Sequence, residues 1–439
     1  MPVRGTMKNS IIVGVGASKN KNAYKAAKDA AMQAVKGLKG KKPIMSFVLY
    51  AGDYDPKELN KGFLKVLGKT EFVGGSTDAV IYKSEIIPYG VAVCSLYSEY
   101  LHVGVASADN VVKDPYNIAK KTILEAVKKI PVDQYLDSYL QSARMKKSSL
   151  ASLTRIPSFV CFLFTRGYQQ NKMGNEDLII DGVADAIGRY IPIFGGSLGN
   201  DMDKVFKQQP YDIFTFHSGK IYKDGIAVVF AYTGLAYSYS IAHGGEPMGK
   251  MGYISKITGG GFVVQEISGK PIKQWYADTI GVSLKEFNTK LLYYTQKYPL
   301  GFPDGYGNVV MRAGGVPVGD KDLGYIAPFK ENTPVWVMNI EKNENILKTP
   351  EIIQADIKKH LGRDIKPYFT FIASCSSRRR VIGQAKLKKE LQKIAKVPDL
   401  PLFGFCSFGE IGAKPAETCH FNHLCNNVFN FYKELLTDL

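Results

Sequence analysis

Apolar residues in this chain fall into short unbroken runs, each followed by a polar loop and then a segment of helical period. Three runs stand out: Ile44 to Tyr50, Phe159 to Phe164 and Tyr368 to Ser374. Unbroken apolar character of this length suits strands buried on both faces, so these three are expected at sheet centres. After each comes a helical stretch. Asp55-Pro56 opens one before Leu59, Phe63 and Leu64, and Asn175-Glu176-Asp177 opens another before Leu178, Ile179 and Val183. The third, Leu387 to Ile394, carries basic residues on its wet positions. Each unit then closes on a second apolar strand ending in glycine: Phe72-Val73-Gly74-Gly75, Ile193-Phe194-Gly195-Gly196 and Leu402-Phe403-Gly404-Phe405.

The pattern is a βαβ unit used three times, with the parallel pairing and right-handed crossover such units favour. A further signature, Gly90 to Tyr97 and Gly225 to Tyr232, follows the first two copies. The expected fold is α/β, with repeated βαβ units forming mixed, mainly parallel sheets in two lobes. An α+β insertion of about residues 243–367 separates the second unit from the third, and its Gly-Gly-Gly stretch predicts a hairpin. Domain limits are expected at residues 1–242, holding units at about 1–140 and 158–242, and at 243–439, holding the third at about 366–439. A Ser- and Lys-rich linker is expected from Tyr139 to Pro157. The glycines at the strand ends are read as letting backbone approach a ligand or adopt positive φ.

Gly225 to Ala242 carries no charge, which by length alone borders on a membrane span. Its alternating second half and the Thr233-Gly234 turn instead predict two strands, so no span is expected. The 439 residues are 45% hydrophobic and 22% charged, a globular balance that excludes a disordered or fibrous chain. Six scattered cysteines fit a reducing compartment, and a cytoplasmic protein is expected. The net charge of +17 attracts anions generally. Its lysines are spread over nearly every helix, as on the Ala-rich segment after Lys19, so a nucleic-acid surface is not expected.

Candidate chemistry gathers at the strand ends. Arg378-Arg379-Arg380 offers guanidinium forks to a carboxylate or phosphate, and Arg166 holds the corresponding turn of the second unit. Cys375 and Cys406 end the paired strands of the third unit, where neighbouring arginines would lower a thiol pKa. Glu410 is a carboxylate placed to accept a ligand ammonium group, and Arg378 and Glu410 are expected to share one cleft. Ser76, Thr77, Ser197 and Asn200 are the polar groups of the other strand ends. Cys419, His420, Asn422, His423 and Cys425 alternate faces in a strand, which spoils a zinc site. No Walker A, His-Glu-x-x-His or Gly-x-Ser-x-Gly sequence is present.

The order of these signatures resembles the FIST family, an intracellular sensory module. The resembling residues are Ile12 to Ser18 with the following Ala-rich helix, Gly74-Gly75-Ser76-Thr77, Ser374-Cys375-Ser376-Ser377-Arg378, Gly404 to Ile411, and His420-Phe421-Asn422. The resemblance implies a non-catalytic sensor for a small anionic or zwitterionic molecule, an amino acid among the candidates. It implies binding residues at the strand-end positions, His420 included, and no obligatory cofactor. The signal would pass to a separate signalling protein such as a kinase, cyclase or chemotaxis component. Two alternatives follow: an enzyme using a Cys/Glu site in the third unit, and a nitric-oxide sensor holding haem through His420, His423 or His243.

Overall fold

The computed structural model describes residues 10–134, 141, 157–169, 172–340, 344–395 and 401–436. The expected linker from Tyr139 to Pro157 lies almost wholly outside the described residues. The three apolar runs become Met45–Ala51, Phe159–Arg166 and Phe369–Cys375, every residue of each buried. Each pairs in parallel with the strand after its helix: Glu71–Thr77, Ile193–Leu198 and Leu402–Ser407. The fold class and the repeated βαβ unit are therefore present.

Three six-stranded sheets are built on these parallel pairs. In each, a long antiparallel strand flanks the first strand of the pair: Gly90–Tyr97, Ile226–Thr233 and Asn426–Leu435. An edge strand lies outside it: Ile12–Ser18, Leu101–Ala108 and Leu235–Ala242. The repeat is thus longer than the sequence signature, beginning at residues 12, 101 and 235. The expectation of mainly parallel sheets is corrected in this respect, because parallel pairing is confined to one pair per sheet. The charge-free stretch from Gly225 to Ala242 does form two strands, and they lie in different sheets.

The sixth and fifth positions of each sheet are filled by a hairpin from another unit. Val80–Tyr82 with Glu85–Ile87, from the first unit, joins the third sheet through Leu402–Ser407. Thr215–His217 with Lys220–Tyr222, from the second, joins the first sheet through Glu71–Thr77. Glu410–Gly412 with His420–Asn422, from the third, joins the second sheet through Ile193–Leu198. The exchange is cyclic, so the units interlock rather than forming two lobes. The strand Leu235–Ala242 likewise belongs to the third sheet, on the far side of the boundary expected at residue 242.

Register places Phe47, Phe162 and Phe371 at equivalent positions, each one residue before the partner of a strand-end glycine. Their rings meet, with centroids 5.4, 4.8 and 6.3 Å apart, and form the centre of the core shared by the three sheets. The equivalent glycines are Gly74, Gly195 and Gly404. A Cβ on them would stand 1.9, 1.9 and 2.0 Å from the carbonyl oxygens of Val48, Leu163 and Ile372. These glycines serve close strand contact, not ligand approach, which corrects that part of the sequence reading, while the positive φ it also offered holds at Gly74 (147°).

The insertion follows the strand Leu235–Ala242 and forms its own eight-stranded antiparallel sheet. The long strand Glu246–Thr258 pairs with Val263–Ile267 across Gly259–Gly261, the predicted hairpin. Helices Ile272–Ile280, Leu284–Thr289 and Leu291–Lys297 carry Trp275, Tyr276, Phe287 and Leu291 into a separate core. Among the described residues, no helix is long and apolar enough to cross a membrane.

Candidate functional site

Strand Phe369–Cys375 runs directly into the short helix Ser376–Ile382, which carries the arginine cluster. Arg378 is completely buried. Its Nε and Nη2 donate to the two oxygens of Glu390 (3.0 and 2.6 Å), a bidentate pair. Nη1 donates to the carbonyls of His243 and Leu424 (2.9 and 3.1 Å), and Nη2 also reaches Ile346 O and Thr349 Oγ1 (2.5 and 2.7 Å). Every donor has a protein partner, so none is left for a ligand.

Glu410 is equally enclosed. It accepts from Ser407 Oγ (2.6 Å) and from the Cys425 N–H (3.2 Å). Burial pushes its carboxyl up to about 8, so at neutral pH it is largely protonated. The expectation that Arg378 and Glu410 open onto a common cleft is corrected, because neither lines one. Burial also pushes the Cys375 and Cys406 thiols well above the ordinary cysteine range, opposite to the lowering a reactive thiol needs.

The remaining predicted residues are also engaged within the fold. Ser76 Oγ accepts from the Phe214 N–H (2.9 Å), and Thr77 Oγ1 donates to the Cys406 carbonyl (2.5 Å). Ser197 Oγ donates to Glu176 (2.6 Å), a buried carboxyl pushed up to about 7 by desolvation. Asn200 Nδ2 donates to the Asp212 carbonyl (2.8 Å). Arg166 donates to the Met173 carbonyl (2.8 Å) and faces Asp224 at 3.2 Å. His420 lies half-buried on the strand it shares with Asn422. Ser76, Thr77 and Cys406 thus meet at one strand crossing, while Arg166, Ser197 and Asn200 stay with the second unit.

A cleft of about 680 Å³ opens beside these strand ends. The second unit lends Tyr168, Met173, Met202, Phe206 and Tyr211 to its wall. Ser377, Arg380 and Val381 come from the arginine helix, with Phe408 and Leu424 beside the Glu410 turn. The insertion closes it with Phe262, Leu292, Thr295, Gln296, Val316 and Tyr325. Its position was legible from the arginine turn, but its occupants were not. Most of its aromatic wall comes from loops and from the insertion, where no periodic signal marks a residue as cleft-facing.

Two residues of this wall carry hydroxyls that are sealed within the protein and lack partners. Tyr325 and Thr295 are each 2% exposed, and neither Tyr325 OH nor Thr295 Oγ1 has a hydrogen-bond partner among the described residues. Burial holds the Tyr325 hydroxyl far above its usual pKa, so it stays protonated and able to donate. Arg380 pairs with Asp203 at the rim and lies over the Phe206 ring, 4.3 Å from its centroid. No histidine lines the cleft. His243 has both ring nitrogens engaged, by the Val309 carbonyl and the Gly245 N–H. A histidine-held haem therefore does not fit this cleft. No group of three or more His, Cys, Asp or Glu placed to hold a metal occurs among the described residues.

The FIST N domain matches residues 45–270 and the FIST C domain residues 273–413. The chain belongs to the FIST family. FIST domains are in general sensory domains of signal transduction. No curated protein matches the chain. Among solved structures, a cyanuric acid hydrolase described as structural concatenation aligns at 7% identity, covering 97% of this chain and 100% of its own, with a TM-score of 0.35. The cyanuric acid hydrolase from A. caulinodans aligns at 8% identity over 52% of this chain and 72% of its own, with a TM-score of 0.28. In the FIST chain described here, the two domain matches divide within the insertion, next to the helix Ile272–Ile280 that supports the cleft's insertion wall.

Proposed function

We propose that this FIST protein is a non-catalytic cytoplasmic sensor that takes a small organic molecule into the cleft between the second repeat, the arginine helix and the insertion. The observation that carries the reading is the cleft itself, about 680 Å³ with a mostly apolar, aromatic wall and the guanidinium of Arg380 at its rim. A cleft within the roughly 300–1,000 Å³ range of small-molecule sites, with a few convergent polar groups, is the arrangement that binds such ligands.

The signal would arise from differential contact. A ligand held by both the repeat core and the insertion favours the arrangement in which both walls reach it. The surface so altered is then read by a separate signalling protein. The expected chemistry shifts with the geometry. Arg378 and Glu410 are spent within the fold, so the amino-acid recognition built on them gives way to recognition by the cleft's own residues.

Thermal-shift screening of amino acids, organic acids and nucleotides tests the proposal, on the wild type and on Val316→Trp, which fills an exposed rim position. A ligand at a hundred times its dissociation constant adds about 2.7 kcal/mol, a rise of several degrees. That rise is expected in the wild type and lost in Val316→Trp. No hit at all, or hits equally strong in the variant, would sink the proposal.

A further inference from the structure

Resting on the reading of this cleft as the ligand site, we infer that its ligand is an aromatic carboxylate, and that the site rejects ammonium groups. The charge pattern supplies the first argument. Arg380 is the only charged side chain among the described lining residues; no aspartate or glutamate faces the space. An ammonium group entering there would lose its hydration with no carboxylate to replace it. A zwitterionic amino acid would have one charge met and the other stranded.

The arginine is available in a way that Arg378 is not. The Arg380–Asp203 pair is exposed, with side-chain exposures of 36% and 61%. Exposed pairs contribute little, so an incoming carboxylate can take over the guanidinium while Asp203 turns to solvent. The guanidinium carbon lies 4.3 Å from the Phe206 ring centroid, and once Asp203 has turned away two N–H groups can meet a carboxylate.

The body of the ligand follows from the wall. Tyr168, Tyr211, Phe262 and Phe408 offer ring faces and edges, the surface against which another ring packs best. Aromatic walls can also cage a cation, and this alternative must be weighed. Here a guanidinium already covers the neighbouring Phe206 ring, and the chain carries a net charge of +17. Both make the local potential positive and favour an anion over a cation.

Calorimetric titration of the full chain with 4-hydroxyphenylacetate, phenylacetate and tyramine separates the contributions. Binding of both acids is expected, with tyramine silent. Arg380→Gln should weaken both acids about tenfold or more, with an unchanged melting temperature, since the residue sits at an exposed rim. Tyramine binding as tightly as the acid, or an Arg380→Gln variant that binds normally, overturns the inference. If no acid binds while other screened molecules do, and Val316→Trp abolishes their binding, the ligand class is wrong and the site stands. If binding survives Val316→Trp, the site itself is wrong.

Discussion

The guanidinium of Arg378 joins four separate stretches of chain: Glu390 on the neighbouring helix, His243 where the chain enters the insertion, Ile346 and Thr349 where it returns, and Leu424 beyond the Glu410 turn. A charge held this deeply is tolerated because every donor is met. Arg378→Ala would strand Glu390, which is itself buried and otherwise receives only Asn426 Nδ2 at 3.1 Å. Removing one partner of a buried pair costs about 3–5 kcal/mol. A correspondingly large fall in stability is expected by denaturant unfolding. A change of less than about 1 kcal/mol would mean that the network does not hold the junction. The sequence marks the arginine at a strand end as a fork for a ligand's carboxylate or phosphate, whereas the carboxylate it holds is the protein's own. That the carboxylate belongs to Glu390, twelve positions further on, depends on how two helices pack.

At the scale of elements, the strand-end glycines carry the repeat. Gly74, Gly195 and Gly404 face the backbone of the preceding parallel strand so closely that a methyl group would overlap a carbonyl oxygen. Gly404→Ala should force the strands Phe369–Cys375 and Leu402–Ser407 apart and cost about 1–3 kcal/mol or more. Equilibrium unfolding measures it, and a neutral substitution would show that the sheet spreads at no cost. The βαβ units were legible because buried parallel strands read as unbroken apolar runs and their helices carry clear starts. The hairpins were not legible. Their strands are three residues long, and each hairpin joins a strand more than a hundred positions away. Such short segments hold no period of their own, and only the partner strand gives them shape.

At the scale of the molecule, cyclic exchange makes each sheet depend on two units. The first sheet is completed by Thr215–His217 of the second unit, the second by Glu410–Gly412 of the third, and the third by Val80–Tyr82 of the first. A fragment of residues 1–242 would lack the third unit. The edge strand Leu235–Ala242 would lose its partner Asn426–Leu435, and Ile193–Leu198 would lose Glu410–Gly412. Such a fragment should show no cooperative thermal transition by circular dichroism, whereas the full chain unfolds with one. A fragment with its own sharp transition would show that the units fold independently.

The amino-acid sequence by itself determined the units: which runs become central strands, which segments become helices, where the insertion lies, and the family. Those features rest on local period and composition, which neighbouring residues settle among themselves. Tertiary structure alone decided the order in which units exchange hairpins and which polar groups meet within the protein. It also decided that the open cleft falls to Arg380 and an aromatic wall rather than to Arg378 and Glu410. The physical reason is that desolvation and hydrogen-bond satisfaction depend on everything packed around a group. An arginine sealed against Glu390 and an arginine resting on Phe206 at a rim stand two positions apart in the chain.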